Sequence, residues 1–175
     1  EQQYRRRLRN YAALAYTVRS SITISNLDEH ITQKEAATFM SHEQFLSWFA
    51  EDLKVAAREV LLCVPSLSAR SVQRVIPLLQ HVQHQGGNVQ IYLPEPALFR
   101  ADIQPKIATL QQAGVPVVFC PSMVPNFCVI DQRLVWYGTL NPLGRMPDGE
   151  SSLRMEAPDV AAELAEFLRG KLEGV

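Results

Sequence analysis

Strand-like and helix-like segments alternate through the middle of the chain, and this alternation limits the fold more than any other feature. Segments 59–64, 88–93 and 115–119 are short and rich in apolar residues, which is typical of strands buried on both faces. Between them, 71–85 and 103–113 carry apolar residues at helical spacing and end at glycines. This order favours an α/β fold with a mostly parallel central sheet and helices on both faces.

The last third of the chain predicts a hairpin followed by a terminal helix. Two short apolar strands, 127–131 and 134–137, are separated by only a few polar residues, which suits a hairpin turn. Segment 142–151 is rich in Gly, Pro and Asp and reads as a loop. A last strand at 153–156 and an amphipathic helix at 159–172 complete the predicted elements.

Ser41 marks the predicted start of the folded domain. Gln44 follows it as in a capping box, and aromatic residues then recur at helical spacing, which indicates a helix packed on the core. We therefore divide the chain into a domain at 41–175 and, at 1–40, an N-terminal arm or junction to an upstream domain. The arm carries the arginine run Arg5–Arg9, which we interpret as a solvated face or junction, with phosphate contact as the alternative.

Composition excludes some classes of protein. The 175 residues are 47% hydrophobic and 20% charged, as in an ordinary globular domain. Seventeen basic and 18 acidic residues balance to a net charge of −1, which argues against a surface built to coat nucleic acid but allows a local basic patch. Cys63, Cys120 and Cys128 lie in apolar runs and predict buried, reduced thiols. No segment has the length and hydrophobicity of a membrane span, so we expect a cytoplasmic protein without a membrane partner.

A spaced set of polar residues follows the predicted sheet. Asp131, Gly138, Thr139 and Asn141 have the spacing of the Asp, Gly, Ser and Asn of the phospholipase D-like (HKD) superfamily, and the chain resembles that family from the first predicted helix onwards. The family has a further Glu on a later strand, for which Glu156 is the candidate. The resemblance implies a phospholipase D-like sandwich fold.

The chain departs from the family at the two residues that carry its chemistry. Counting back from Asp131 places Val124 where the family has its nucleophilic His, and Asn126 where it has its phosphate-binding Lys. Valine cannot form a phosphoramidate, and asparagine brings no charge to a phosphate. Because losing one electrostatic stabiliser commonly costs ~10²–10³ in rate, we expect a pseudo-enzyme with no catalytic residue, no cofactor and no metal.

No other residue offers a convincing nucleophile. His81 and His84 could share one helix face, but no Cys or carboxylate pattern accompanies them, so two exposed helix-end histidines are the favoured interpretation. Cys128 has no neighbouring base in the sequence and is interpreted as a structural thiol. The alternative is an active phosphodiesterase or nuclease with a rearranged nucleophile.

The remaining expectation is a binding or scaffolding function. Arg133, Arg145 and Arg154 lie in or beside the motif and are candidates for contacts to a DNA or RNA backbone, with surface arginines that bind nothing as the open alternative. Single-motif members of the family pair as dimers, so the resemblance implies a homodimer or scaffold through the face that carries the degenerate motif. The resemblance also implies that the chain is the C-terminal domain of a bacterial DNA helicase or ATPase.

Overall fold

A computed structural model describes residues 37–121 and 125–173. The arginine run at 5–9 and Val124 lie outside those residues. The elements are β1 (Ala37–Ser41), α1 (His42–Val55), β2 (Glu59–Cys63), α2 (Ala69–His84), β3 (Asn88–Pro94), a 3₁₀ helix (Glu95–Phe99), α3 (Gln104–Gln112), β4 (Val117–Cys120), β5 (Phe127–Ile130), β6 (Leu134–Gly138), β7 (Ser151–Glu156) and α4 (Pro158–Glu173).

The strands form one mixed sheet, and the prediction of a mostly parallel sheet is wrong. The strand order is β1-β7-β6-β5-β2-β3-β4. Only β2, β3 and β4 are parallel to one another, whereas the other four neighbouring pairs are antiparallel. Strands β2, β3 and β4 are joined through helices, which return the chain to the same end of the sheet. Strands β5, β6 and β7 follow one another without a helix, so the chain reverses direction at β5–β6 and β6–β7.

Helices cover both faces of the sheet, as predicted. Alternate residues of β2 point to opposite sides: Leu62 packs in the core beneath α1, α2 and α3, and Leu61 and Cys63 pack in a second core with α4. The crossover helices α2 and α3 share one face because right-handed βαβ connections in one direction place them there. Within the described residues no helix is long and apolar enough to cross a membrane.

Two helix starts differ from the sequence prediction. Ser41 occupies the N-cap of α1, but its side chain makes no capping hydrogen bond. Helix α2 begins at Ala69 because Ser68 caps it, accepting the backbone N–H of Ser71 on its hydroxyl. The described residues belong to one compact unit. Its first strand lies just before the boundary predicted at residue 41, which stays a prediction.

A tight turn joins β5 to β6. The backbone N–H of Arg133 donates to the carbonyl oxygen of Ile130 at 3.1 Å, which closes a four-residue turn. Both central residues, Asp131 and Gln132, have a φ of 54°. Two consecutive positive φ values are the mark of a type I′ turn, whose twist matches that of the flanking strands. The predicted hairpin is therefore present, with two side-chain-bearing residues in the left-handed region.

Candidate functional site

The hairpin separates the predicted motif into two groups. Phe127 lies opposite Tyr137 at one end of the β5–β6 ladder, and Ile130 lies opposite Leu134 at the other. Asn126, Gly138, Thr139 and Asn141 therefore gather at the end where β5 begins and β6 finishes, which we call the motif end. Asp131, Arg133 and Glu156 lie at the opposite, turn end, because Glu156 pairs with Leu134. The structure brings the first four residues together and leaves the other three roughly 15 Å away along the strands.

Asp131 binds backbone at the turn end. Its carboxylate accepts the N–H groups of Ala57, Arg58 and Glu59 at 2.8–3.3 Å. Burial alone would raise the pKa of Asp131, but these three N–H groups and the nearby Arg133 outweigh burial and lower it. The carboxylate is thus fixed and ionised, and it anchors the loop between α1 and β2.

Arg133 and Glu156 form an ion pair with each other at the turn end. Both side chains are about half exposed. Glu156 lies far from Asn126 and Asn141, so the structure gives this glutamate a surface contact rather than a place at the motif end. The role of Arg133 as a nucleic-acid contact stays a prediction.

Arg154 is held inside the protein by Asp52. Its guanidinium donates two hydrogen bonds to the Asp52 carboxylate, at 2.8 and 2.7 Å, and lies 5.5 Å from the centroid of the Trp48 ring. Asp52 is buried and also accepts the indole N–H of Trp136 at 2.8 Å. The nucleic-acid role of Arg154 therefore also stays a prediction, and its observed contacts are internal.

Sequence analysis did not identify Asp52 as the partner of Arg154. The signal was present, because Asp52 falls three residues after Phe49 and seven after Phe45 on the apolar face of α1. A carboxylate on such a face needs a buried partner. The sequence does not say which cation supplies it.

The side-chain amide of Asn126 is hydrogen-bonded to the backbone at the end of β6 and just after it. Its Nδ2 donates to the carbonyl oxygens of Gly138 at 3.1 Å and Leu140 at 2.9 Å. Its Oδ1 is buried and has no hydrogen-bond partner within the part of the chain that the structure describes. The cavity beside it has a volume of about 10 Å³, enough for roughly one water molecule. Both amide hydrogens are thus used to hold the start of β5 to the end of β6.

Gly138 and Thr139 join β6 to the start of β7. A Cβ on Gly138 would lie 2.5 Å from the carbonyl oxygen of Ser151, so only glycine allows this approach. The backbone N–H of Thr139 donates to the Ser151 carbonyl at 2.9 Å, and its hydroxyl accepts the Ser151 N–H at 3.2 Å. These contacts stabilise the sheet and explain both residues without a ligand.

Asn141 connects the loop after β6 to the loop after β2. Its Nδ2 donates to the backbone carbonyl of Ser66 at 2.9 Å, and its Oδ1 accepts the N–H of Leu143 at 3.0 Å. The residue is buried, and Gly144 packs so closely against its amide that a side chain there would collide with it. Two further bonds join the same loops, from Ser68 N–H to Leu143 O and from Ser71 Oγ to Gly144 O, both at 2.7 Å.

Arg145 follows directly on this fixed loop and faces solvent. Within residues 37–121 and 125–173 it has no carboxylate partner within 4 Å, unlike Arg133 and Arg154. It lines a cavity of about 630 Å³, together with Arg100, which precedes α3, and Lys106, which lies in the first turn of α3. Sequence analysis missed both of these residues, because nothing in the local pattern places them beside residue 145.

The candidate histidines do not reach the motif end, and the candidate cysteine beside it is a buried thiol. His81 and His84 are exposed in the last turn of α2, whereas the first turn of α2 bonds to Gly144. A helix of 16 residues is about 24 Å long, so these histidines lie far from Asn126 and Asn141. Burial, and then the charge of Asp52, raises the pKa of the Cys128 thiol. No group of three or more His, Cys, Asp or Glu side chains in the described residues is arranged to bind a metal.

Comparison with known proteins supports the fold through structure alone. No family model and none of the curated proteins matches the chain. The structure of Nuc, a phospholipase D family member from Salmonella typhimurium, has a TM-score of 0.66 at 12% identity, covering 80% of this chain and 95% of Nuc. NucT from Helicobacter pylori has a TM-score of 0.62 at 16% identity, covering 80% and 97%.

Two larger proteins contain the same fold. TrmBL2, an archaeal chromatin protein with a novel mode of DNA binding, has a TM-score of 0.54 at 14% identity, covering 99% of this chain and 66% of TrmBL2. Polyphosphate kinase from Porphyromonas gingivalis has a TM-score of 0.60 at 13% identity, covering 79% and 26%. At these identities the likeness establishes architecture, and the chain has a phospholipase D-like fold.

Proposed function

We propose that this chain is a phospholipase D-like domain that binds the backbone of a nucleic acid without hydrolysing it. The observation that carries the proposal is the geometry of Asn126, which stands where the family has its phosphate-binding lysine. Both of its amide hydrogens go to the carbonyls of Gly138 and Leu140, so none is left for a phosphate oxygen. At the position of the family's nucleophilic histidine the sequence has Val124, which has no lone pair to attack phosphorus.

Arg145 supports the binding half of the proposal. Of the three arginines predicted to contact a backbone, Arg133 pairs with Glu156 and Arg154 with Asp52. Arg145 is exposed and, among the described residues, has no carboxylate partner. Its backbone is fixed by the Asn141 contacts, which lowers the entropy lost when it binds. The fold it shares with the DNA-binding protein TrmBL2 makes DNA the first ligand to test.

Hydrolysis assays test the absence of catalysis. The purified chain is incubated with bis(p-nitrophenyl) phosphate and with single-stranded DNA, and we expect no turnover above the rate of buffer alone. Activity abolished by His81→Ala or His84→Ala would contradict the proposal and support the alternative of a phosphodiesterase with a rearranged nucleophile. Gln83→Ala, a substitution on the same helix turn, is the control for indirect effects.

Salt-dependent binding tests the contact to nucleic acid. Fluorescence anisotropy with a labelled oligonucleotide is measured between 50 and 200 mM salt, where log affinity should fall linearly with log salt. Arg145→Ala should weaken binding and reduce the slope by about one contact. Arg58→Ala is the matched control, because Arg58 is exposed at the turn end and its substitution removes the same charge. Equal loss in both variants would mean that binding is not located at Arg145.

The homodimer and the helicase setting are further parts of this proposal. A dimer formed through the motif end would bury Thr139, which is exposed in the single chain. Sedimentation velocity should then show a dimer for the native chain and a monomer for Thr139→Arg. A single sedimenting monomer at all concentrations would remove the dimer from the proposal. A helicase or ATPase setting would be supported by stimulation of such an enzyme when this chain is joined to it.

A further inference from the structure

We propose that the cavity beside Arg145 binds a phosphate monoester in its dianionic form, such as the terminal phosphate of a nucleic-acid strand. The inference rests on the proposed function and names the group that the chain would recognise. The cavity opens where β2 and β3 end, the edge at which ligands bind in open α/β sheets. Its volume of about 630 Å³ lies within the range of roughly 300–1,000 Å³ found for ligand sites.

The charges that line the cavity favour an anion with two negative charges. Arg100, Lys106 and Arg145 contribute three positive charges, and Asp102 contributes one negative charge. The net lining charge is therefore +2. Asp102 accepts two hydrogen bonds from Arg100, at 3.1 and 2.9 Å, and lies 3.7 Å from Lys106, so one carboxylate holds two cations near each other. A phosphate monoester carries close to two negative charges at neutral pH, and an internal phosphodiester carries one.

A neutral donor completes the lining. The Ser66 hydroxyl borders the cavity, whereas the Ser68 hydroxyl donates to Ser71 Oγ at 3.1 Å and caps the first turn of α2. The positive end of a 16-residue helix therefore adds to the field of the three cations. Hydroxyl and cationic donors together match the oxygen-rich surface of a phosphate group.

The two sides of the cavity are held together before any ligand arrives. Asn141 and Ser66 are 75 residues apart in the chain, yet three hydrogen bonds of 2.7–2.9 Å join the loop of Arg145 to the segment 66–71, through Asn141, Leu143 and Gly144. A site whose walls are already bonded loses little conformational entropy on binding. The cavity is also concave, which admits the end of a strand more readily than a backbone that must enter and leave.

Binding to strand ends tests the inference. One oligonucleotide is prepared with a 5′-phosphate, with a 3′-phosphate and with neither, and its affinity for the full 175-residue chain is measured by anisotropy. We expect one phosphorylated end to bind about tenfold more tightly than the unphosphorylated strand, the effect of one or two charged hydrogen bonds. Lys106→Gln should remove this preference, and Lys54→Gln, an exposed lysine on α1, should leave it unchanged. Arg145→Gln is a second variant with an exposed side chain, should Lys106→Gln fail to fold.

The outcomes separate this inference from the proposed function. If strands bind in a salt-sensitive manner through Arg145 but phosphorylation at neither end changes affinity, the monoester site is wrong and backbone binding stands. If no strand binds, yet inorganic phosphate binds by calorimetry and Lys106→Gln abolishes it, the cavity is a site for a phosphate dianion but not for a strand end, and the nucleic-acid proposal fails. A preference for phosphorylated ends that survives in both Lys106→Gln and Arg145→Gln would overturn the inference.

Discussion

The side-chain amide of Asn141 donates to the backbone carbonyl of Ser66 across 2.9 Å, joining residues that lie 75 positions apart in the chain. This bond attaches the loop that carries Arg145 to the loop that precedes α2. Asn141 also accepts the N–H of Leu143 and is buried, so both halves of its amide are used. The residue is therefore a structural connection between the motif end and the basic cavity.

Asn141→Ala should lower the free energy of unfolding by about 2–3 kcal/mol. The substitution leaves the Ser66 carbonyl and the Leu143 N–H without their side-chain partner, and an unsatisfied buried polar group costs about 1–3 kcal/mol. Urea unfolding followed by circular dichroism measures the change. Thr139→Ala is the control, because its hydroxyl is exposed and its loss should cost less than about 1 kcal/mol. Equal stability of Asn141→Ala and the native chain would show that the loops are held by other contacts.

Arg154→Ala should destabilise the fold far more than Arg145→Ala. Removing Arg154 leaves the buried Asp52 carboxylate with Trp136 as its remaining side-chain donor among the described residues, and breaking a largely buried ion pair costs about 2–4 kcal/mol. Arg145 is exposed and has no such partner in the part of the chain that the structure describes, so its loss should change stability by less than about 0.5 kcal/mol. Unfolding curves for the two variants make the comparison. Normal stability of Arg154→Ala would contradict a structural role.

Gln132→Gly should stabilise the hairpin. Gln132 has a φ of 54°, where a side chain costs about 1–2 kcal/mol and glycine adopts the conformation freely. Glycine also has greater conformational entropy in the unfolded chain, which offsets part of this stabilisation. The free energy of unfolding should therefore rise by about 0.5 kcal/mol. Thermal unfolding measures it. Gln73→Gly in the interior of α2 is the control and should instead destabilise by about 1 kcal/mol; a Gln132→Gly variant that melts as early as this control would contradict the prediction.

Asp131→Asn should destabilise the protein at neutral pH and less so in acid. The pKa of Asp131 is lowered in the folded state by its backbone donors, so its ionised form contributes stability above the unfolded value of about 3.9. That contribution disappears as the pH falls through the folded pKa. The difference in unfolding free energy between the native chain and Asp131→Asn, about 1–3 kcal/mol at pH 7, should therefore shrink below about pH 4.

A urea titration repeated at several pH values tests the Asp131 prediction. Asp148→Asn is the matched control, because the Asp148 side chain is fully exposed and its contact with His42, at 3.9 Å, is a surface ion pair that contributes little, so the difference should stay small at every pH. A gap between the native chain and Asp131→Asn that stays constant down to acid pH would mean that the carboxylate charge does not contribute.

Local pattern predicted those parts of the fold that local physics decides. Helix α2 and strand β2 were visible from periodicity and from apolar runs, because each is defined by neighbouring residues. The direction of β5 against β2 and the existence of β1 depend on pairing with distant strands, and the sequence carries no local sign of either. The error of the mostly parallel sheet came from extending the βαβ pattern into a region that has no intervening helices.

The site shows the same division. The spacing of Asp131 and Asn141 is visible in the sequence. The backbone groups that form hydrogen bonds with their side chains, at Ala57 and Ser66, are 74 and 75 residues away along the chain. The three candidate arginines likewise look equivalent in the sequence. Only the fold shows that Arg154 reaches Asp52, 102 residues away, while Arg145 faces solvent. Interpreting an arginine as a ligand contact requires knowing where its nearest carboxylate lies.

Asp131 lies in the turn of the hairpin and Gly138 at the far end of the returning strand, so the number of residues between them depends on the length of that strand. Six residues between them correspond to the rest of a tight turn and the strand that returns from it, so the spacing records the length of β6. A chain can satisfy such a pattern by having a hairpin of the right size, with no chemistry attached. In this fold the spacing of Asp131 and Gly138 measures the length of the β5–β6 hairpin, so a match to that spacing does not by itself indicate hydrolysis of a phosphate ester.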